Sequence, residues 1–228
     1  MAERRKKNNL KIQRVSMTQR RTKEIYWILG VMVLCVLLFV GVYQLFKGVN
    51  SFDYKGMHFT KEMFGQIPVY HYYYVFNITN GKQTQLVKYN LFLRNDPRKN
   101  EVPIEGEIAF SKDVVNYISV DGFGFEECPQ ANLAVAGLAS FLTNNMLKVK
   151  GATPRLIQAQ ASNVTYATCE TNPNDVVILI KAANETKITK QNNCYQIDVA
   201  NCEILPATEK FEVQSILDAK ARQKAEGK

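Results

Sequence analysis

The chain has 228 residues, 46% of them hydrophobic and 22% charged, with a formal net charge of +8 and five cysteines. That composition excludes a disordered or collagen-like polymer and leaves room for one or two domains with a sizeable core. The charge invites a nucleic-acid reading, which depends on where the charge sits.

Residues 1–24 form a basic tail, with nine Lys and Arg against Glu3 and Glu24, a net of +7. The other 204 residues hold 20 basic and 19 acidic groups. The tail has no aromatic residue to stack on a base, and no zinc or helix-turn-helix pattern. Nucleic acid is therefore not an expected partner. A basic segment beside a membrane sets topology and touches anionic lipid headgroups.

Residues 25–46, IYWILGVMVLCVLLFVGVYQLF, carry no charge. As a helix they reach about 33 Å, enough to cross a hydrocarbon core of about 30 Å. Tyr26, Trp27 and Tyr43 suit the two interfaces. The run is too long for a cleaved signal peptide and no small-residue cleavage site follows it. The expectation is an uncleaved signal anchor in the cell membrane. The N-terminus would be cytoplasmic and the C-terminal domain extracytoplasmic.

After a linker at 47–52, an antiparallel meander is expected over 53–111. VYHYYYVFNIT (69–79) and QTQLVKYNLFLR (83–94) flank Asn80-Gly81, the favoured sequence of a two-residue hairpin turn. With those two residues as the loop, Tyr70 faces Leu91, Tyr72 faces Tyr89, Tyr74 faces Val87 and Phe76 faces Gln85. One face gathers Tyr70, Tyr72, Tyr74, Phe76 and Ile78 with Val87, Tyr89, Leu91 and Leu93. His71 and Tyr73 lie on the other face and are candidate contact residues. Pro103–Phe110 is read as a third strand of the meander.

Residues 112–228 form a mixed α/β part. VVNYISV (114–120) reads as a strand, DGFGFEE (121–127) as a loop and 128–147 as a helix. Leu133, Ala136, Gly137, Ser140 and Phe141 make a stripe at helical spacing that suits close packing on a sheet. Arg155–Ala161, Val164–Thr168, Val176–Ala182 and Cys194–Val199 read as strands. A polar C-terminal helix starts near Pro206. The fold class is α+β, with a meander followed by a βαβ-like half.

Cys35 lies in the span. Cys128, Cys169, Cys194 and Cys202 lie in the exported part, where an even number suggests two disulfides. If the strands beside them run parallel, Cys128–Cys202 and Cys169–Cys194 are the favoured pairs. Cys128 as a reactive thiol at a helix start is the alternative, but no base accompanies it. The spacings match no zinc site, and no cofactor is expected. Asn77, Asn163 and Asn184 stand in N-x-Thr sequons and permit glycosylation.

The loop residues Asp121, Glu126 and Glu127 are candidates for cation contact or acid–base work. The glycines of the loop match neither a dinucleotide fingerprint nor a P-loop. The expected function is a non-enzymatic binding or accessory subunit of a cell-envelope or membrane complex, with an unidentified protein or envelope partner. A membrane-anchored enzyme with its site at Asp121–Cys128 is the alternative.

Overall fold

The computed structural model describes residues 25–44, 50–80 and 83–227. The basic tail 1–24, Leu45 and Phe46 of the expected span, residues 47–49 of the linker and Gly81 lie outside the described residues. The chain divides into two units, 1–52 and 53–228. In the first, α1 (Ile25–Gln44) is apolar and long enough to cross a membrane, and none of it is buried by protein.

The second unit is α+β. Its first sheet has the order β1-β2-β3-β4, from β1 (Ser51–Tyr54), β2 (Met57–Phe64), β3 (Ile67–Asn80) and β4 (Gln83–Leu93). The turn between β1 and β2 uses Lys55 and Gly56, both at positive φ (48° and 75°). That conformation is the one a tight hairpin loop demands.

The β3–β4 register differs from the expected one by two residues. Asn80 pairs with Gln83, so Asn80 is the last strand residue and not a loop residue. Tyr70 faces Leu93, Tyr72 faces Leu91, Tyr74 faces Tyr89 and Phe76 faces Val87. A shift of two preserves which face each side chain occupies. Tyr72, Leu91 and Leu93 are accordingly buried, while Tyr73, Val75, Leu86 and Phe92 on the opposite face are exposed. The shift also sets Tyr74 directly opposite Tyr89, with ring centroids 5.3 Å apart and the rings tilted by 59°.

The second sheet has seven strands in the order β5-β10-β11-β9-β6-β7-β8. They are β5 (Ile104–Glu105), β6 (Val115–Val120), β7 (Lys148–Thr153), β8 (Thr165–Tyr166), β9 (Val176–Ala182), β10 (Lys187–Gln191) and β11 (Cys194–Val199). Strands β11, β9, β6, β7 and β8 run parallel; β10 is antiparallel to β11. The βαβ unit is β6, α2 (Ala131–Asn144) and β7. The run at 103–110 does not extend the meander. Only Ile104 and Glu105 are strand, and they pair with β10 in the second sheet.

Two further expectations are corrected. Arg155–Ala161 is not a strand: Leu156–Ser162 is helix α3, closed by Asn163 in the left-handed conformation. Its LIQAQAS sequence is rich in good helix formers, and Ile157 remains exposed. Of the stripe on α2 only Phe141 is buried, with its ring 6.0 Å from that of Tyr89 in β4. Ala134, Leu138, Phe141 and Leu142 are the buried residues, whereas Leu133, Ala136, Gly137 and Ser140 are exposed.

The last helix, α4 (Ile204–Ala225), starts two residues before the expected Pro206 and lies between the sheets. Phe211 meets Tyr195 of β11 with ring centroids 5.4 Å apart, and Lys220 sits over the ring of Tyr72 in β3. From Ile204 to Ile216 nearly every residue is buried, which marks a helix enclosed on all sides. The last turns, from Lys220 onward, are mostly exposed.

Candidate functional site

The loop after β6 begins at Asp121, whose N–H donates to the carbonyl of Ile180. A short 3-10 turn, Gly122–Gly124, follows. A Cβ on Gly124 would lie 2.7 Å from the Cβ of Ala182, so the loop can lie on β9 only with glycine there. The Asp121 carboxylate accepts from Nε and Nη2 of the Arg155 guanidinium, at 2.6 and 2.8 Å. Arg155 also stands over the Phe123 ring. Asp121 therefore fastens the loop to the start of α3 (a bidentate pair fixes orientation as well as charge). Glu126 and Glu127 are exposed. The described residues contain no cluster of three metal-ligating side chains.

The sulfur of Cys128 is bonded to Cys202, with Cα atoms 5.3 Å apart, and Cys169 is bonded to Cys194, at 5.5 Å. The first bridge ties the segment just before α2 to the segment just before α4. The second ties the segment before β9 to the start of β11, its parallel neighbour.

On the outer face of the first sheet, the His71 ring contacts Glu62 through Nδ1 at 2.7 Å and Asn90 through Nε2 at 3.1 Å. It stacks on Phe92 at 4.5 Å. Tyr73 is 54% exposed, with the Lys88 amino group 4.0 Å above its ring. The two residues thus belong to one aromatic surface flanked by Val75 and Leu86. The sequon residues Asn77, Asn163 and Asn184 are all exposed.

Sequence reasoning missed a third place, where two carboxyl groups are buried on α4. Glu209 and Glu212 are three apart and share a helix face. Glu209 is held at the end of β4: it accepts from the N–H groups of Arg94 and Asn95 and from Asn95 Nδ2, the last at 2.7 Å. Burial still raises its pKa above the ordinary carboxylate range. Glu212 is 5% exposed, and its backbone carbonyl accepts from Ser215 Oγ at 2.7 Å. Burial, reinforced by the nearby Glu209, raises its pKa to about 8. Its Oε1 faces the Cα of Gly137 on α2; a Cβ there would stand 3.9 Å away.

Both acids line a cavity of about 400 Å³. The signal that marks them is the apolar distribution over 204–216. Ile204, Leu205, Ala207, Phe211, Val213 and Ile216 fall all round a helix and not on one side, so the glutamates among them must be enclosed.

No family model, no curated protein and no solved structure matches the chain.

Proposed function

We propose that the protein is a single-pass membrane subunit, with its basic tail cytoplasmic and its disulfide-bonded α+β domain extracytoplasmic. The domain binds a partner protein or envelope component instead of carrying out a reaction. The observation that carries the binding reading is the aromatic outer face of β3 and β4. Tyr73, Val75, Leu86 and Phe92 are exposed there, at 54%, 44%, 75% and 51%. Apolar surface of that kind, bordered by Glu62, Lys88 and Asn90, is the composition of a contact patch.

The location is supported by α1 and the two bridges, since disulfides persist in oxidising compartments. The direction through the membrane rests on the +7 tail, which also meets anionic headgroups. The enzymatic alternative loses its two best residues, because Asp121 is paired with Arg155 and the Cys128 sulfur is bonded.

Affinity capture of the full chain from membranes tests the proposal. Tyr73→Ala and Phe92→Ser are expected to lose the captured partner, while Asp121→Ala, Glu126→Ala and Glu127→Ala retain it. Capture that survives both hairpin changes rejects the patch. A cellular phenotype abolished by the loop changes alone restores the enzyme reading.

A further inference from the structure

We infer that two copies of this chain join at the free edge of β4, each β4 running antiparallel to the partner's, so that the first sheet continues from one copy into the next. This goes beyond the accessory-subunit reading. It concerns the edge of the sheet and not its outer face, and it holds whether or not that face captures another protein.

Among the described residues, four strands form sheet edges: β1, β4, β5 and β8. Strands β5 and β8 have two residues each and β1 has four, too few to offer another strand a lasting ladder. Strand β4 has eleven. Its register against β3 runs unbroken from Tyr70↔Leu93 to Asn80↔Gln83, so no bulge turns the edge away. No proline interrupts 83–93, and Lys88 is the single charge there. A long edge without the devices that usually blunt it is a template for a further strand.

Backbone direction along β4 follows from the hairpins. Phe64↔Ile67 closes a two-residue loop, so this pair exchanges both of its backbone hydrogen bonds. Odd-numbered residues of β3 then bond to β2, and even-numbered ones to β4. Opposite the even ones, as in Tyr72↔Leu91 and Tyr74↔Tyr89, stand odd residues of β4. Leu86, Lys88, Asn90 and Phe92 therefore aim their N–H and C=O groups out of the sheet. Arg94, next in that series, shows the direction: its N–H leaves the sheet for the Glu209 carboxylate.

The side chains on this edge match a second copy of themselves. With a two-fold axis through Tyr89, Leu86 faces the partner's Phe92 and Lys88 faces the partner's Asn90, each contact made twice. Leu86 and Phe92 are both exposed in the single chain. Asn90 Oδ1 meets His71 Nε2 at 3.1 Å and keeps a lone pair for the lysine. On the inner face Val87 faces the partner's Leu91. A strand from another protein needs an acid or an amide opposite Lys88; this chain supplies its own. The neighbouring registers that keep the faces aligned fit worse. An axis at Lys88 sets the two ammonium groups against each other. An axis at Asn90 sets Leu86 against the partner's Arg94, whose N–H is already taken by Glu209.

The test is the protein mass of the full chain in mild detergent, read by light scattering over a dilution series. Twice the mass of one chain is expected. Asn90→Lys brings like charges together twice and is expected to weaken association at least tenfold. Adding Lys88→Glu to it sets opposite charges across the axis and is expected to bring the dimer back. Lys88→Pro removes an outward N–H and leaves the ladder to β3 whole. It is expected to weaken association at least tenfold, and it covers the case in which Asn90→Lys fails to fold. Tyr73→Ala, on the outer face, is expected to keep the dimer. A monomeric parent overturns the inference. So does a dimer that survives Asn90→Lys or Lys88→Pro in folded protein, one that the charge swap fails to restore, or one that Tyr73→Ala abolishes.

Discussion

Glu212 ties the pH dependence of stability to a single side chain. Its folded pKa, about 8, lies above the ordinary glutamate value of 4.5, so between those values the folded chain holds a proton that the unfolded chain releases. Stability from this group is complete below the ordinary value and is lost as pH rises through about 8, by about 1.4 kcal/mol per pH unit within the window. Glu209 shifts in the same direction. Glu212→Gln should flatten this slope and make the protein more stable than the parent at pH 9. Urea unfolding at a series of pH values checks it; parallel curves for the two chains would contradict it. Gly124 is a second residue with a sharp expectation. Gly124→Ala forces its methyl group against Ala182 and should cost about 1–3 kcal/mol, read as a lower urea midpoint at unchanged slope.

At the scale of elements, the hairpin and α4 carry the argument. Tyr74 of β3 donates to Asn145 Oδ1 at 2.6 Å, which links the first sheet to the end of α2. Tyr74→Phe keeps the ring contact with Tyr89 and removes that link, so it should cost about 0.5–1.5 kcal/mol in thermal or urea unfolding. The alternation over 69–94 was enough to separate the two faces of the hairpin, because side-chain period in a strand is two. It did not fix the register, since a slip of two residues costs no face and is decided by pairs such as Tyr74–Tyr89. The apolar anchor, strand β6 and helix α2 were legible for the same reason of periodicity and length. Strands β1, β2, β7 and β10 were not, and α3 was taken for a strand, because seven residues of mixed polarity fit either period. The buried glutamates were hidden by the ordinary rule that charged residues of a helix face water. The Asp121 loop was legible as a loop, but its engagement with Arg155 depends on a contact 34 residues away in sequence.

For the molecule as a whole, the two disulfides differ in reach. Cys128–Cys202 spans 74 residues and Cys169–Cys194 spans 25. The loss of loop-closure entropy in the unfolded chain predicts that removing the first pair with serine costs about 4 kcal/mol and the second about 3. Chemical unfolding of the two double-serine chains should therefore rank the first as the weaker. Topology has its own test: protease applied to intact cells should remove the domain from residue 53 onward while the basic tail stays protected. Protection of the domain at confirmed surface expression would reverse the orientation.

Helix α4 follows every strand in chain order, yet it supplies the filling between the two sheets. During synthesis, both sheets must therefore wait with their inner faces uncovered until residues 204–216 emerge. The sheets cannot be consolidated one after the other as the chain appears. A chain stopped at Glu203 would expose Tyr72 and Tyr195 to solvent and to passing chaperones, and would leave Cys128 paired with a cysteine that no helix holds in place.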